Sequence, residues 1–535
     1  MTENGTPETP PQMTAEMWRV MQDAARAAGL EVAPPEGEKP SAPTLDLQMP
    51  WRRLGLELGG ILKSRNIFLR AGELGRVNET TAEWETFEPK NFAGWVEEFV
   101  AWRWKGERAK LSGEQAAMLM AQFSFREQIR AIEGIHKVRV PVIRASGRAE
   151  WLAKGYDAET RIFTVPLLAY PLDWTIEKAT EYLDGVFCDF PWMRGEDEDA
   201  STLKGNRAYA VHLAAMVGVY CRACFPAGTL KPLMAYIANQ QGSGKTVLAL
   251  AAIAPVFGLA ASNPLPKNDD DLRKELDAAV QAFAPFLFFD DIPYLNSQHL
   301  NRFITSPRFA GRVLGSKDQF DVPAVTQIFA TGNDVKGSKD IALRSMCVEL
   351  FYAGDLKGRK FDKTIDEDWL SRHETRCDML AALAALVRHW DAREGGVKAH
   401  LDGMAGMPRF ARFSKLTAGV VRAACYADPL SPPLLPMDEE VDQIQDLLIA
   451  AASKSEKDES WTREQLVNLA RELELCEDLV GTAGDKDLDS ASSKRFGYRM
   501  RPFRGRELMD KQGRKFRFGH MRKRTGATYP LAFLK

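Results

Sequence analysis

Residues 239–246 read Asn-Gln-Gln-Gly-Ser-Gly-Lys-Thr and lie between an apolar run at 233–238 and a helix-like run at 247–254. This order predicts a buried strand, a glycine-rich turn and a helix whose first backbone N–H groups face an anion. In such a turn the lysine reaches the β- and γ-phosphates of a nucleotide, and the hydroxyl of the next residue binds Mg²⁺. The sequence therefore predicts a phosphate-binding loop for ATP and Mg²⁺.

The loop departs from the usual pattern at its first position, where Asn239 stands in place of glycine. Asparagine also tolerates left-handed turn geometry. The glycines expected nearest the phosphates are present. The predicted nucleotide contacts are Asn239, Gly242, Ser243, Gly244, Lys245 and Thr246, and Thr246 is also a predicted metal ligand.

A second apolar run, Phe-Leu-Phe-Phe at 286–289, ends in Asp290 and Asp291. Doubly wound sheets bind ligands at the carboxyl ends of their strands, where these two carboxylates would emerge. Asp290 is the predicted Mg²⁺ ligand. Asp291 would orient the attacking water or accept its proton. The alternative is an acidic turn after a strand.

A third apolar run at 325–330 leads into Thr331-Gly332-Asn333, and Arg344 follows eleven residues after Asn333. The amide of Asn333 would hydrogen-bond the γ-phosphate or the attacking water. Arg344 offers a fixed fork of donors for spread phosphoryl charge, and from a neighbouring subunit it would act as an arginine finger. The alternatives are a turn residue and a surface charge.

The order of these motifs resembles that of the superfamily 3 helicases of the AAA+ class, most closely the replication helicases of phages, satellites and other bacterial mobile elements. The resemblance is strong over 205–350. It implies a ring of identical subunits, most simply a hexamer, that binds single-stranded DNA in its central channel and works with other replication proteins.

That family carries a β-hairpin that projects into the channel between its second and third motifs. The matching stretch is 309–323, where two short strands flank Gly-Ser-Lys-Asp, a sequence suited to a hairpin turn. By the resemblance, Lys317 would grip the DNA backbone, with Arg312 as a weaker candidate. The alternative is a solvated turn lysine.

The 535 residues exceed what a single core accommodates, and their composition is that of a soluble globular protein. We expect an α/β protein whose P-loop core carries an N-terminal α+β accessory domain, a helical lid and a C-terminal winged-helix-like domain. The predicted ranges are a disordered, proline-rich tail at 1–49, the accessory domain at 50–200, the ATPase core at 205–375, the lid at 376–452 and the basic domain at 460–535.

The N-terminus lacks the pattern of a signal peptide, and the longest apolar run is too short to span a bilayer. Seven scattered cysteines fit a reducing compartment. We therefore expect a cytoplasmic protein, in a bacterial or phage-infected cell, without a membrane partner. The one Cys-x-x-Cys pair, Cys221 and Cys224, lies in an apolar, helix-like stretch, which favours buried cysteines over a zinc or redox site.

Nine of the twelve tryptophans precede residue 200, and they include the pair Trp102 and Trp104 close to arginine and lysine. Aromatic side chains beside cations can stack on nucleotide bases. They more often belong to a core. Both interpretations stay open for these two residues.

Residues 494–535 hold fourteen Lys or Arg and only two acidic residues, in a chain of net charge −2. So local a charge is typical of a surface that binds phosphate backbones. A capped helix at 462–473, with Thr462 and Gln465 as its capping box, a basic helix at 490–500 and two strands at 515–518 and 528–533 resemble a winged helix that holds duplex DNA. The candidate contacts are Lys494, Arg495, Arg499, Arg522, Lys523 and Arg524. A surface for an acidic protein is the alternative.

The motifs together predict an ATP-dependent, ring-forming DNA helicase or translocase for replication of a phage or mobile element. One alternative is a DNA-binding initiator or loader, or a defence-associated ATPase, in which ATP acts as a switch. Another is a regulator with a vestigial nucleotide fold, against which the two carboxylates Asp290 and Asp291 argue.

Overall fold

The computed structural model describes residues 42–194, 202–266, 268–312, 319–333, 335–352, 363–393, 407–430, 439–482, 496, 500, 503, 507–519, 521–523 and 526–534. Within these ranges the chain divides into two compact units. The first comprises 42–77 and 84–132, and the second comprises 78–83 and the residues from 133 onward.

The first unit has two small sheets and four helices. Its elements are β1 Thr44–Asp46, α1 Trp51–Leu62, β2 Phe68–Arg70, β3 Glu73–Asn78, β4 Glu83–Thr86, α2 Pro89–Val96, β5 Ala101–Trp104, β6 Glu107–Ala109, α3 Gly113–Ala121, α4 Phe123–Arg126 and β7 Arg130–Ala131. One sheet has the order β1-β5-β6 and the other β4-β3-β2-β7.

The core of this unit brings α1 and α4 together with β1 and β5 through Leu45, Leu54, Trp102 and Phe125. Glycine at position 55 of α1 allows close approach, because an added Cβ would lie 2.7 Å from the Ser124 hydroxyl. The described part of the predicted tail is therefore folded, since Leu45 lies in the core and is only 3% exposed.

The second unit opens with strands β8 Gly134–Val138, β9 Pro141–Ile143, β10 Ala149–Trp151, β11 Gly155–Asp157 and β12 Ile162–Leu168, followed by α5 Ile176–Phe187 and α6 Arg207–Tyr220. Val138, Val140 and Leu183 share one hydrophobic core with α6. Residues 133–192 therefore pack with the second unit, and the first unit is shorter than the accessory domain predicted at 50–200.

A four-stranded parallel sheet forms the centre of the second unit, in the order β14-β18-β13-β20. The elements from this sheet to the hairpin are β13 Leu233–Ala238, α7 Lys245–Phe257, α8 Asp269–Gln281, β14 Phe286–Phe289, β15 Tyr294–Leu295, α9 Gln298–Thr305, β16 Arg308–Arg312, β17 Gln319–Pro323, β18 Gln327–Asn333, β19 Lys336–Gly337, α10 Lys339–Ala342 and β20 Ser345–Leu350. Because β13 is buried along its whole length, with hydrogen-bonded neighbours on both sides, it reads as a continuous apolar run. The chain is thus a mixed α/β protein built around a parallel sheet.

Helices α11 Glu367–Ser371, α12 His373–Asp391 and α13 Ala411–Ala423 follow the sheet. Ala-rich α12 packs against α7 and α13, and α13 packs against α6. Glycines permit two of these contacts: an added Cβ at Gly218 would lie 2.6 Å from the Phe413 ring, and one at Gly419 would lie 3.0 Å from the Trp390 ring. Helices α12 and α13, which were predicted as part of a lid, therefore share one hydrophobic core with α7.

The remaining elements are α14 Glu439–Lys454, β21 Glu459–Thr462, α15 Arg463–Glu472, α16 Glu477–Val480, β22 Glu507–Met509, β23 Lys515–Phe518, β24 Met521–Lys523 and β25 Gly526–Phe533. The capping box of Thr462 and Gln465 is present at the start of α15, as predicted. The strands predicted at 515–518 and 528–533 are also present. The predicted basic helix at 490–500 lies largely outside the described residues.

Helix α14 belongs to the C-terminal core rather than to the lid range 376–452, because Leu447 and Leu448 pack with Leu466, Phe516 and Tyr529. The polar composition of 452–459 predicts a joint between domains. In the structure the backbone of this stretch is held by hydrogen bonds, because the Arg514 guanidinium donates to the carbonyls of Ala452 and Ser455 at 3.1 and 3.0 Å. Ala452 and Ser455 are buried while the charged residues from Glu456 to Glu459 are exposed, so the composition of the stretch does not reveal the contacts of its backbone.

The contact between Gly218 and Phe413 yields a stability prediction. Gly218→Ala should destabilise the protein by about 1–3 kcal/mol, because the buried Phe413 ring leaves no space for a methyl group. Gly185→Ala is the matched control, since Gly185 lies in α5 with nothing within 4 Å of an added Cβ. That change should stabilise the helix by roughly 0.5–1 kcal/mol. Thermal unfolding of both variants measures the difference, and equal shifts of the midpoint would contradict the packing.

Candidate nucleotide-binding site

The carboxyl ends of the four central strands meet at one edge of the sheet. Ala238 at the end of β13 is in register with Asn333 of β18 and with Leu350 of β20. On the far side of β18, Phe289 of β14 is in register with Ala330. The loop 239–244, the Asp290–Asp291 pair and Asn333 therefore follow adjacent strands at the same edge.

Two glycines shape the loop between β13 and α7. Gly242 and Gly244 have φ values of 81° and 97°, in the left-handed region that favours glycine. Gly244 is the N-cap of α7, and an added Cβ there would lie 2.7 Å from the Phe190 ring. The left-handed backbone and the close approach of the Phe190 ring both require glycine at 244. The glycine-rich loop therefore leads directly into the first turn of α7.

Lys245 and Ser243 are buried polar residues without a partner among the described residues. Lys245 is 6% exposed and Ser243 is 1% exposed. In the part of the chain that the structure describes, no carboxylate or carbonyl pairs with the Lys245 ammonium, and the Ser243 hydroxyl has no hydrogen-bond partner. A buried charge left uncompensated is costly. The donor set at the start of α7 therefore fits a phosphate group.

A hydrogen-bond cluster joins the loop to the strand that carries the carboxylates. The Thr246 hydroxyl donates to Asp290 Oδ1 at 2.9 Å. The Thr331 hydroxyl donates to the same oxygen and accepts from the Asp291 backbone N–H at 3.2 Å. The Asp290 N–H donates to the carbonyl of Asn263 at 3.2 Å. One hydroxyl and one carboxylate, the pair that would hold Mg²⁺, are thus already adjacent.

Asn263 is itself held in place. Its side-chain amide donates to Glu275 Oε1 at 2.8 Å. Burial raises the pKa of the Glu275 carboxyl above its ordinary value, and the hydrogen bond from Asn263 partly offsets that rise. Asn263 thereby fixes the end of β14 from the side opposite β18.

Two further polar groups at this edge are available to a ligand. Asp291 is exposed, has a φ of 52°, and its carboxylate has no partner among the described residues. Asn333 Oδ1 is buried and also lacks a hydrogen-bond partner within those residues. A buried acceptor without a donor is the exception in proteins, and a water molecule between Asp291 and the phosphates would satisfy it.

Asn239 has a different role from the glycine that it replaces. It does not take the left-handed conformation, and its side chain bridges the backbone of Tyr352: Nδ2 donates to the Tyr352 carbonyl at 2.9 Å, and Oδ1 accepts from the Tyr352 N–H at 3.0 Å. The Gln240 amide donates to the same carbonyl at 2.6 Å. The side chain of Asn239 therefore anchors the loop to the chain beyond β20 instead of facing the phosphates.

Three residues at the site were not singled out from the sequence as ligands or supports. Thr331 bridges Asp290 and Asp291, Phe190 covers Gly244, and Tyr352 anchors the loop. Thr331 had a signal, because it lies two residues before Asn333 in the third motif. Phe190 and Tyr352 reach the loop only through the pairing of 191–193 with the end of β20, which no local pattern reveals.

Arg344 lies at the opposite edge of the sheet from the loop. Its carbonyl accepts from Leu233 N–H at the start of β13, so the length of that strand, about 16 Å, separates it from the loop. The guanidinium is 19% exposed, donates to Asn301 Oδ1 at 2.7 Å and lies 3.6 Å from Asp340. Arg344 therefore lies away from the candidate nucleotide site of the same chain.

The predicted DNA contacts lie largely outside the described residues. Strands β16 and β17 pair antiparallel from Arg308↔Pro323 to Arg312↔Gln319, as the predicted hairpin requires. Its tip, with Lys317, is outside, as are Lys494, Arg495, Arg499 and Arg524. For Arg312, Arg522 and Lys523 the backbone alone is described, in β16 and β24.

Among the described residues, no group of three or more His, Cys, Asp or Glu has the geometry of a metal site. Cys221 is buried at the end of α6, and the Cys224 thiol donates to the Pro141 carbonyl at 3.2 Å. Within the same residues, no helix combines the length and the apolar character that crossing a bilayer requires.

No family model matches the chain, and no curated protein matches it. Among solved structures, the chain is similar to an apo form of the C-terminal region of NrS-1, with 10% identity and a TM-score of 0.35 over 90% of this chain and 100% of that chain. It is similar to JCV helicase, with 15% identity and a TM-score of 0.19 over 44% of this chain and 65% of that chain. An inhibitor-bound JCV helicase gives 17% identity and a TM-score of 0.19, over 48% and 73% of the two chains. Such distant likenesses carry no argument on function.

The uncompensated charge of Lys245 gives a two-sided prediction. Lys245→Met should leave the ligand-free protein as stable as the parent or more stable, because the change removes a buried ammonium without a partner among the described residues. Mg²⁺ and ATP should raise the unfolding temperature of the parent protein, by the equivalent of about 2.7 kcal/mol at a hundred times Kd, and the same change should abolish that rise.

Lys231→Met is the matched control. Desolvation lowers the pKa of Lys231 to about 7, and its ammonium donates to the Val325 carbonyl at 3.0 Å. This variant also removes a desolvated lysine without a carboxylate partner, so its stability should hold or rise, and it should keep the response to the nucleotide because Lys231 lies before β13, away from the loop. A Lys245→Met protein that ATP still stabilises would exclude the proposed site.

Proposed function

We propose that this protein is an ATPase that assembles into a ring and moves along DNA as a helicase or translocase. The observation that carries the ATPase proposal is the buried Lys245 ammonium, unpaired among the described residues, beside the Thr246–Asp290–Thr331 cluster. A lysine, a hydroxyl and a carboxylate at one edge of a parallel sheet form a donor set for a nucleotide triphosphate and Mg²⁺.

The residues divide between phosphate binding and water activation. Lys245, Ser243 and the N–H groups at the start of α7 would bind the β- and γ-phosphates. Thr246 and Asp290 would hold Mg²⁺, which neutralises developing charge on the phosphate oxygens. Asn333 would accept a hydrogen bond from the attacking water through its Oδ1, which has no partner among the described residues.

Hydrolysis then needs a proton acceptor, and the exposed carboxylate of Asp291, which is free among the described residues, supplies it. The water oxygen forms a bond to the γ-phosphorus, and the bond from that phosphorus to the bridging oxygen of ADP breaks. The proton of the water passes to Asp291. Thr331 keeps the two carboxylates in separate roles, because it donates to Asp290 and fixes the backbone of Asp291.

The position of Arg344 is the argument for the proposed ring. A guanidinium at the far edge of the sheet, already oriented by Asn301 and Asp340, cannot serve its own nucleotide site but suits the site of an adjacent copy. A head-to-tail contact repeated around an axis closes into a ring. We expect six subunits, by the resemblance to superfamily 3 helicases.

The DNA part of the proposal rests on the β16–β17 hairpin, which lies between the second and third motifs, and on the basic C-terminal domain. In the proposed arrangement, Lys317 at the hairpin tip contacts one strand in the channel and the C-terminal domain holds duplex DNA. An initiator or loader that uses ATP as a switch is the second candidate, since it needs the same site and the same basic domain without strand separation.

A mixing experiment tests the shared site. Arg344→Ala should lower kcat by about 10³-fold or more, because the charge on the transferring phosphoryl group loses its fork of donors. Lys245→Ala should be inactive in its own site while still presenting Arg344 to a neighbour. Mixing the two inactive variants should therefore restore ATP hydrolysis in part.

The control for this experiment is Arg344→Lys, which keeps the charge without the bidentate fork and should recover little activity. Unfolding temperatures of all variants exclude loss of fold through the Asn301 contact. Failure to recover activity at every mixing ratio would contradict a site completed by the adjacent copy.

Unwinding of a forked duplex distinguishes a motor from a switch. Lys317→Ala should retain ATP hydrolysis in the absence of DNA and lose strand separation, since it leaves the nucleotide edge of the sheet intact. Lys274→Ala is a control, because Lys274 pairs with Asp271 on the surface of α8. If the parent protein hydrolyses ATP and binds the fork but never separates it, the initiator or loader is the better description.

A further inference from the structure

The hairpin of β5 and β6 in the first unit carries an exposed tryptophan on one face and, on the other face, cations that have no ion pair in the described part of the chain. The strands join through Lys105 and Gly106, whose φ values of 52° and 82° are those of a tight two-residue hairpin turn. The Lys105 N–H donates to Gln48 Oε1 at 3.2 Å, which holds the turn against the chain after β1. The turn of the hairpin is thus held in place by a contact with the chain after β1.

The two tryptophans of the hairpin have different surroundings. Trp102 is 2% exposed and belongs to the core of the unit, whereas Trp104 is 45% exposed. Side chains two residues apart on a strand leave the same face, so Trp104 continues the buried face beyond the edge of the core. An indole that is nearly half exposed beside a hairpin turn is available to a flat ligand.

The opposite face of the hairpin is cationic. Arg103, Arg108 and Lys110 alternate onto it and are all exposed. Among the described residues none of the three has an ion pair. The nearest acids by register are Glu107, opposite Trp104, and Asp46, opposite Arg103, and Asp46 accepts instead from the Gln48 N–H.

Arg103 and Arg108 stand directly opposite each other in the register of β5 and β6. Like charges in that position destabilise a strand pair. A polyanion that runs across the face would remove the repulsion and explain why the chain tolerates it. The arrangement therefore points to a ligand that carries repeated negative charge and a flat ring.

We propose that the β5–β6 hairpin binds single-stranded nucleic acid that passes around its tip, with a base stacked on Trp104 on one face and phosphates of the following nucleotides on Arg103, Arg108 and Lys110 on the other. Stacking on an aromatic ring with phosphates along a basic face is the usual mode for single strands. A duplex does not suit the site, since its bases present no free face to the indole. This surface lies in the unit that contains none of the ATPase residues, so it does not depend on the proposed ATPase.

The experiment uses the full chain without nucleotide and follows binding of labelled oligodeoxythymidine by fluorescence anisotropy. Trp104→Ala should weaken binding about 5- to 100-fold, and Trp104→Phe should recover much of the loss, because a ring remains for stacking. Phe123→Ala is the matched control: Phe123 is 72% exposed in the same unit, outside the hairpin, and its loss should leave the affinity unchanged. Oligouridine and a blunt duplex are the other two arms, and the duplex should show no effect of Trp104.

Arg108→Glu separates ligand binding from folding. It replaces a repulsive pair with an attractive one, so the unfolding temperature should stay or rise, while affinity for the single strand falls. The slope of log K against log salt should become shallower by about 0.7 for each phosphate that the variant no longer neutralises. Lys63→Glu makes the same charge change at the exposed C-terminal end of α1, outside the hairpin, and should leave both the affinity and the salt slope unchanged. Photo-crosslinking with 5-iododeoxyuridine should label the peptide that contains Trp104.

Unchanged affinity in Trp104→Ala and Arg108→Glu, or a crosslink found only elsewhere, would overturn the proposal. A change in oligomeric mass without a change in affinity would also overturn it and would assign the hairpin to a protein contact. ATP hydrolysis in the same variants keeps the two proposals apart. If the protein hydrolyses ATP but the substitutions leave its affinity for the single strand unchanged, the hairpin site is wrong. If the substitutions lower that affinity in a protein that does not hydrolyse ATP, the ATPase proposal is wrong.

Discussion

Lys245, a buried lysine without an ion pair among the described residues, is the constraint on which the proposed site depends. Lysine enters a protein interior at a high cost unless an opposite charge accompanies it, and among the described residues the chain supplies none. The surrounding geometry is arranged to receive an anion: Gly242 and Gly244 take left-handed conformations, and α7 begins directly at the lysine.

The rest of the site positions groups that such an anion would require. Thr331 donates to the Asp290 carboxylate and accepts from the Asp291 backbone N–H, and Thr246 donates to the same carboxylate. Asn239 and Gln240 hold the loop to Tyr352. These contacts connect all four strands of the sheet at one edge. A substitution in any of them should therefore act on the loop and the carboxylates together, which distinguishes a shared site from independent binding groups.

Local patterns in the sequence were sufficient for several elements. The prediction agrees with the bounds of β13, β14 and β23, with the pairing of β16 and β17, and with the capping box of α15. Each of these features depends on a continuous apolar run, a turn sequence or a cap, whose residues are close in the chain. Packing between distant segments was not accessible in the same way. The sequence does not reveal that Phe190 covers Gly244 or that the residues after 132 join the core of α6.

The tryptophan pair shows the same limit at a single site. The sequence alone left core packing and base stacking open for both tryptophans. In the structure Trp102 lies in the core, whereas Trp104 is 45% exposed. The difference depends on where the core of the first unit ends, which is a property of the assembled helices and strands and not of residues 101–110.

The structure of the protein with Mg²⁺ and a non-hydrolysable ATP analogue is the most direct measurement of the central claim. The account predicts phosphate oxygens within hydrogen-bonding distance of Lys245 Nζ and Ser243 Oγ, Mg²⁺ between Thr246 and Asp290, and a guanidinium from an adjacent copy near the γ-phosphate. A nucleotide bound elsewhere, or a Lys245 side chain that remains without an anion at saturating ligand, would contradict it.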